Sequence, residues 1–172
     1  MSEERITAQV RSEIALRAQD CCEYCRSQAR YAVQAFSVEH IVPRSRAGTS
    51  KPDNLAMACQ GCNNHKYNKT HAVDPVSAEE VPLFHPRQQR WRDHFAWNDD
   101  CTLIIGLTPT GRATVAALHL NRDGLVNLRG VLYRAGEHPP AEPTESVPPT
   151  ETGQQIPATE QPDKPDHNKK QQ

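Results

Sequence analysis

The chain has 172 residues, 36% of them hydrophobic, and a formal net charge of −1, which suits one domain of ordinary size. No stretch approaches the roughly 20 apolar residues of a membrane span. Residues 1–9 are charged and polar, with no apolar core for a secretory signal, so a soluble protein of the cytoplasm is expected.

The near-neutral total hides two opposed regions. Residues 137–172 carry eight of the fourteen prolines, seven acidic against three basic residues, and no aromatic side chain. Such a segment buries too little apolar surface to offset its ordering entropy, and it reads as a disordered Pro/Glu/Gln/Thr-rich tail. Removing its net charge of −4 leaves +3 on the rest. Between Arg26 and His71, seven basic residues (Arg26, Arg30, Arg44, Arg46, Lys51, Lys66, Lys69) face only Glu39 and Asp53. A basic middle of this kind favours a polyanionic partner.

In chain order, Thr7 is placed to cap a helix running to about residue 19, with Ile6, Val10, Ile14 and Ala18 on one packing face. Cys22-Glu-Tyr-Cys25 follows, and a second pair, Cys59-Gln-Gly-Cys62, lies further on. Two Cys-x-x-Cys turns in a reducing compartment can complete a tetrahedral zinc site, and four thiolates leave no open position, so the zinc would be structural. The competing reading is a redox motif with stray thiols. Cys21 and Cys101 read as small hydrophobes.

Residues 36–42 mix apolar and polar side chains ahead of Pro43 and suit one arm of a β-hairpin. A basic, turn-rich loop covers residues 44–52, and residues 62–70 suit a short polar helix. Further on, Trp91-Arg-Asp-His-Phe-Ala-Trp97 interleaves aromatic and basic residues. That pattern suits either stacking on nucleic acid or anchoring an extension to the core, and anchoring is the expected role. Residues 101–107 form a strand candidate, Thr108-Pro109 a helix start, and Asp123 opens a second helix with Leu125, Leu128 and Leu132 on one stripe.

Four pieces in this order, Cys22-Glu-Tyr-Cys25, Val38-Glu-His-Ile-Val-Pro43, Asp53-Asn-Leu55 and Cys59-x-x-Cys-Asn-x-x-Lys66, resemble the HNH endonuclease family, in its bacterial four-cysteine zinc subgroup with a C-terminal extension. The resemblance implies an α+β fold: a small ββα-metal core with a structural zinc knot, an N-terminal helix, a strand-and-helix extension and the tail. The corresponding boundaries are 5–75 for the core, 76–136 for the extension and 137–172 for the tail.

It also implies a role for each matching residue. Glu39 corresponds to a ligand of a catalytic divalent ion, His40 to the general base, Asn54 to the residue orienting that base, and Asn63 to the second ligand. Oxygen donors suit magnesium or manganese, with nickel a further candidate, and an imidazole neutral near pH 7 can take a proton from water. His65 is the rival to Asn63; two positions apart on a helix, they cannot face one ion together. Arg44, Arg46, Lys51 and Lys66 are the expected nucleic-acid contacts. Glu39 stands where many family members have Asp or His, and Ala47-Gly48 replaces a common Gly-Gly.

The implied reaction is phosphodiester hydrolysis, with DNA the commoner substrate and RNA the alternative, leaving 5′-phosphate and 3′-hydroxyl ends. In strand geometry Glu39 and His40 point to opposite faces, so both serve one site only if the strand bends or ends there. A zinc-stabilised nucleic-acid-binding module without catalysis is the competing reading. A zinc-stabilised protein-interaction domain is a third; it accounts for neither the Glu-His pair nor the basic middle.

Overall fold

The structure is a computed structural model that describes residues 5–141. Its first helix, α1 (Ala8–Arg17), starts where the Thr7 side chain accepts a hydrogen bond from the Val10 amide. Ile14 and Ala18 are buried against Leu55 and Met57, with Ile6 and Val10 partly buried beside them. The apolar stripe read from the sequence is therefore a packing face. Burying a side chain the size of Ile14 contributes about 1.5–3 kcal/mol.

The centre is an antiparallel hairpin followed by a helix. Strands β1 (Ser37–His40) and β2 (Leu55–Ala58) pair with Glu39 opposite Ala56 and His40 opposite Leu55. Helix α2 (Gln60–Lys66) comes directly after, capped by Cys59. All four residues of β2 are buried because both hairpin faces are covered. Val38, Leu55 and Met57 pack with α1, whereas Ala56 and Ala58 pack with the cysteines and the downstream chain.

Two further hairpins and three helices complete the fold of the described residues. Strands β3 (His71–Val73) and β4 (Glu80–Pro82) pair, as do β5 (Phe95–Trp97) and β6 (Ile104–Gly106), with the short helix α3 (Trp91–His94) just before β5. Helices α4 (Pro109–Ala117) and α5 (Asp123–Arg134) end the described architecture. Thr108 caps α4 with Pro109 in its first turn, as its sequence indicated. The result is a mixed α+β chain of small sheets around a four-cysteine cluster.

Three expectations need correction. The helix expected over residues 62–70 is shifted to Gln60–Lys66, because Cys59 supplies the cap and Tyr67 turns out of the helix at φ 48°. The strand expected over 101–107 is only Ile104–Gly106, since Asp100 and Asn98 side chains take the Thr102 and Leu103 amides at 3.1 and 2.9 Å. The tail does not separate at residue 137. Gln28 donates to the Glu137 carbonyl at 2.7 Å, Arg26 donates to the Ala141 carbonyl at 2.9 Å, and His138 packs edge-on against Trp97. Residues 142–172, the rest of the expected tail, lie outside the described residues.

Candidate metal centre and nuclease site

The two Cys-x-x-Cys turns meet. The sulfurs of Cys22, Cys25, Cys59 and Cys62 all lie within 4.8 Å of one another and all four residues are buried. Local backbone explains why. Arg26, at φ 58°, closes the first turn by donating its amide to the Cys22 carbonyl at 2.9 Å. The second turn is the start of α2, where the Cys62 amide points at the Cys59 sulfur at 3.5 Å. Hydrogen bonding from the Cys22, Cys25 and Cys62 thiols holds Cys59 far below the usual thiol range. Cys22 and Cys62 are instead shifted upward, by burial and by hydrogen bonds within the cluster. Four buried sulfurs converging on one point fit a structural zinc of the four-thiolate type.

Glu39 leaves β1 on the side that faces this cluster. It is 5% exposed, and both carboxylate oxygens are engaged. Tyr24, which precedes Cys25 in the first knuckle, donates its hydroxyl to Oε1. Lys66 donates its ammonium to Oε2 at 2.9 Å and to the His40 carbonyl at 2.9 Å. Burial, with Glu39 next to it, pushes the Tyr24 hydroxyl far above its ordinary pKa, so it remains a donor. Lys66 is only 1% exposed, which differs from the surface phosphate contact expected of it: its four-carbon stem runs inward to the buried Glu39 carboxylate.

His40 leaves β1 on the other side, at the last residue of the strand, and its Nε2 is 3.0 Å from the Ser50 hydroxyl. Partial burial, with Arg44 nearby, lowers its pKa below the ordinary value. The carboxylate and the imidazole therefore have different partners, although they are consecutive in the chain at the end of β1.

Asn54 contacts the loop between the strands rather than the His40 ring. Its Oδ1 accepts from the Val42 amide at 2.9 Å, and its Nδ2 donates to the carbonyls of Val42 at 3.0 Å and Thr49 at 2.7 Å. That clamp holds residues 42–49, and through them both the backbone leaving His40 and the approach of Ser50. Arg44, Arg46 and Lys51 are exposed along the same loop. Asn63 is half-buried one turn before Lys66 on α2, whereas His65 is turned to the opposite side, its ring stacked on His119 at 4.3 Å. A cleft of about 260 Å³ opens beside Lys66, lined by Ile41, Val42, Leu83, Phe84 and His85 among others.

Several of these residues carry no signal in the sequence. Tyr24 lies inside a metal-binding turn, and nothing local marks it as a partner of Glu39. Ser50 is one of several loop hydroxyls. Trp91, by contrast, lies in the aromatic stretch that the sequence marks: it donates its indole to the Tyr24 carbonyl at 3.0 Å and lies tilted against Phe95 and Trp97, which ties the downstream chain to the first knuckle. Arg87 pairs with Glu23 in the same knuckle.

The family model described as HNH endonuclease matches residues 22–69, the span from the first zinc-type cysteine to just past α2. No curated protein and no solved structure matches the chain.

Proposed function

Since residues 22–69 match the HNH endonuclease family, we propose that this protein is a metal-dependent endonuclease acting on DNA, with His40 as general base. The observation that carries the reading is the position of His40: half-buried, held by Ser50, at the end of β1 beneath a loop that exposes Arg44, Arg46 and Lys51. A ring with a lowered pKa is neutral at pH 7 and able to accept a proton from a water attacking phosphorus. The exposed cations would hold the flanking phosphates, which fixes register without reading bases. Asn54 would orient the base indirectly, by fixing the loop backbone on either side of it.

The donor chemistry of Glu39 and Asn63 fits a hard divalent ion such as magnesium or manganese, with Lys66 as the cation that balances Glu39 when no ion does. The turning of His65 toward His119 supports Asn63 as the second ligand. When bound, the ion would stabilise charge developing on the phosphate oxygens.

The saturation of Glu39 by Tyr24 and Lys66 favours a second reading, a nucleic-acid-binding module that has lost catalysis. Nicking of supercoiled plasmid with magnesium, manganese or nickel decides between them. Cleavage by the wild-type protein and its loss in His40→Ala is the expected result. Equal cleavage by both proteins removes His40 from the mechanism, and binding without cleavage of DNA or RNA in every metal establishes the module.

A further inference from the structure

The four-cysteine cluster has two arginines from the C-terminal segment packed against it, and neither belongs to the matched family span. Arg122, just before α5, directs Nη2 to the Cys59 sulfur at 3.2 Å and Nη1 to the Cys62 sulfur at 3.8 Å. Arg129, 3% exposed within α5, donates Nη2 to the Cys25 carbonyl at 3.2 Å and to the Leu120 carbonyl at 2.9 Å. Its Nη1 donates to the Thr102 carbonyl at 3.0 Å and to the Asn121 side-chain oxygen at 3.2 Å, and its guanidinium lies over the Trp97 ring at 5.1 Å.

The second knuckle is shaped to receive one of these groups. A Cβ at Gly61 would stand 2.4 Å from Arg122 Nη2 and 2.5 Å from its Cζ. The guanidinium occupies the space that a side chain at position 61 would fill.

Charge supplies the reason. A divalent ion on four thiolates leaves two negative charges uncompensated, and a buried anion of that size is costly without counter-charges close by. Arg129 has the mirror problem, since the acceptors of its hydrogen bonds are uncharged oxygens. We infer that Arg122 and Arg129 are the counter-cations of the zinc centre, so that docking of the C-terminal segment and retention of the metal stabilise each other. The coupling is reciprocal by thermodynamic necessity: whatever the segment adds to zinc affinity, zinc adds to docking of the segment. Arg122, which donates to the sulfurs directly, would also lower their electron density.

The test follows zinc leaving the full-length, zinc-loaded protein into excess chelator, read with a chromophoric indicator. Changes in the hydrogen bonds around metal ligands weaken metal sites about 10–100-fold, so Arg122→Ala should accelerate release by about that factor. Gly61→Ala should accelerate it similarly by displacing the guanidinium, and Arg122→Lys should fall between, keeping charge without the fork. In the Gly61→Ala, Arg122→Ala double variant the two effects should not add, because both remove one contact. Thermal melting of each zinc-loaded variant checks folding, and Gly61→Ala with Arg122→Lys carries the test should Arg122→Ala not fold. Unchanged release in these variants overturns the inference. So does a Gly61→Ala effect that persists undiminished without Arg122, since the knuckle itself would then be strained. Metal analysis finding no zinc on the native protein overturns it at the premise. None of these outcomes depends on whether the protein cuts nucleic acid.

Discussion

Glu39 has two claimants, the proposed catalytic ion and the Lys66 ammonium, and in the structure Lys66 holds it at 2.9 Å with Tyr24 on the other oxygen. A buried pair of this kind contributes little net stability against an apolar equivalent, but removing one partner strands the other charge. Lys66→Met should therefore destabilise the protein by about 3–5 kcal/mol, read as a fall in melting temperature. The same change takes away the competitor for the carboxylate. Manganese should accordingly raise the melting temperature of Lys66→Met more than that of the wild type, because binding to the folded state alone stabilises it by mass action. An equal manganese shift in both proteins would show that Glu39 is not a ligand. Sequence alone could not reveal this competition. Glu39 and Lys66 are 27 positions apart and Tyr24 and Glu39 fifteen, so only the folded hairpin and α2 bring them together.

At the scale of elements, the loop between β1 and β2 sets the position of His40. Gly48 has no room for a side chain, since a Cβ there would stand 1.7 Å from the Val42 carbonyl oxygen and 3.0 Å from Asn54 Nδ2. Gly48→Ala must push the loop backbone away from Val42 and loosen the three bonds that Asn54 makes. A cost of about 1–3 kcal/mol is expected from overpacking, measured by denaturant unfolding. Nicking should fall with it even at temperatures where the variant remains folded, because Val42 is two residues from His40. Full activity in folded Gly48→Ala would mean that the loop does not position His40 for the role proposed for it. Much of this element was legible: Pro43 and the turn residues mark the loop, and the paired cysteine spacing marks the knuckles, because both signals are local. The preceding residue was not: Ala47 sits in the left-handed region at φ 63°, a conformation that Gly at that position in a Gly-Gly pair adopts freely. The clamp by Asn54 on backbone rather than on the His40 ring was equally hidden, since a residue type names an acceptor and a donor but not which groups lie opposite them.

Across the whole molecule, long polar contacts tie the matched span to the rest of the chain, and the same limit applies. Capping residues such as Thr7 and Thr108 announced α1 and α4, yet nothing in composition revealed that Glu137 and Ala141 would be captured by Gln28 and Arg26. The Asp74–Arg112 pair is a long-range tie within the segment beyond that span, joining the turn after β3 to α4. Arg112 reaches the fully buried Asp74 carboxylate with Nε at 2.9 Å and Nη2 at 2.7 Å, a two-pronged contact, and Ser77 adds its hydroxyl at 2.9 Å. Arg112 first, then the amides of Val76 and Ser77 and the Ser77 hydroxyl, hold the carboxyl far below the usual carboxylate range against the opposing effect of burial. With a folded pKa depressed below the unfolded value of about 3.9, the unfolded state binds the proton first as pH falls. The pair's contribution is therefore complete above that value and is lost below it, as pH drops toward the folded pKa. Asp74→Asn should melt at a lower temperature than the wild type at pH 7, and the gap should narrow as the pH is taken from 5 toward 2. A gap that stays constant over that range would show that the Asp74→Asn variant loses packing or geometry rather than charge, and the tie would then be one of shape.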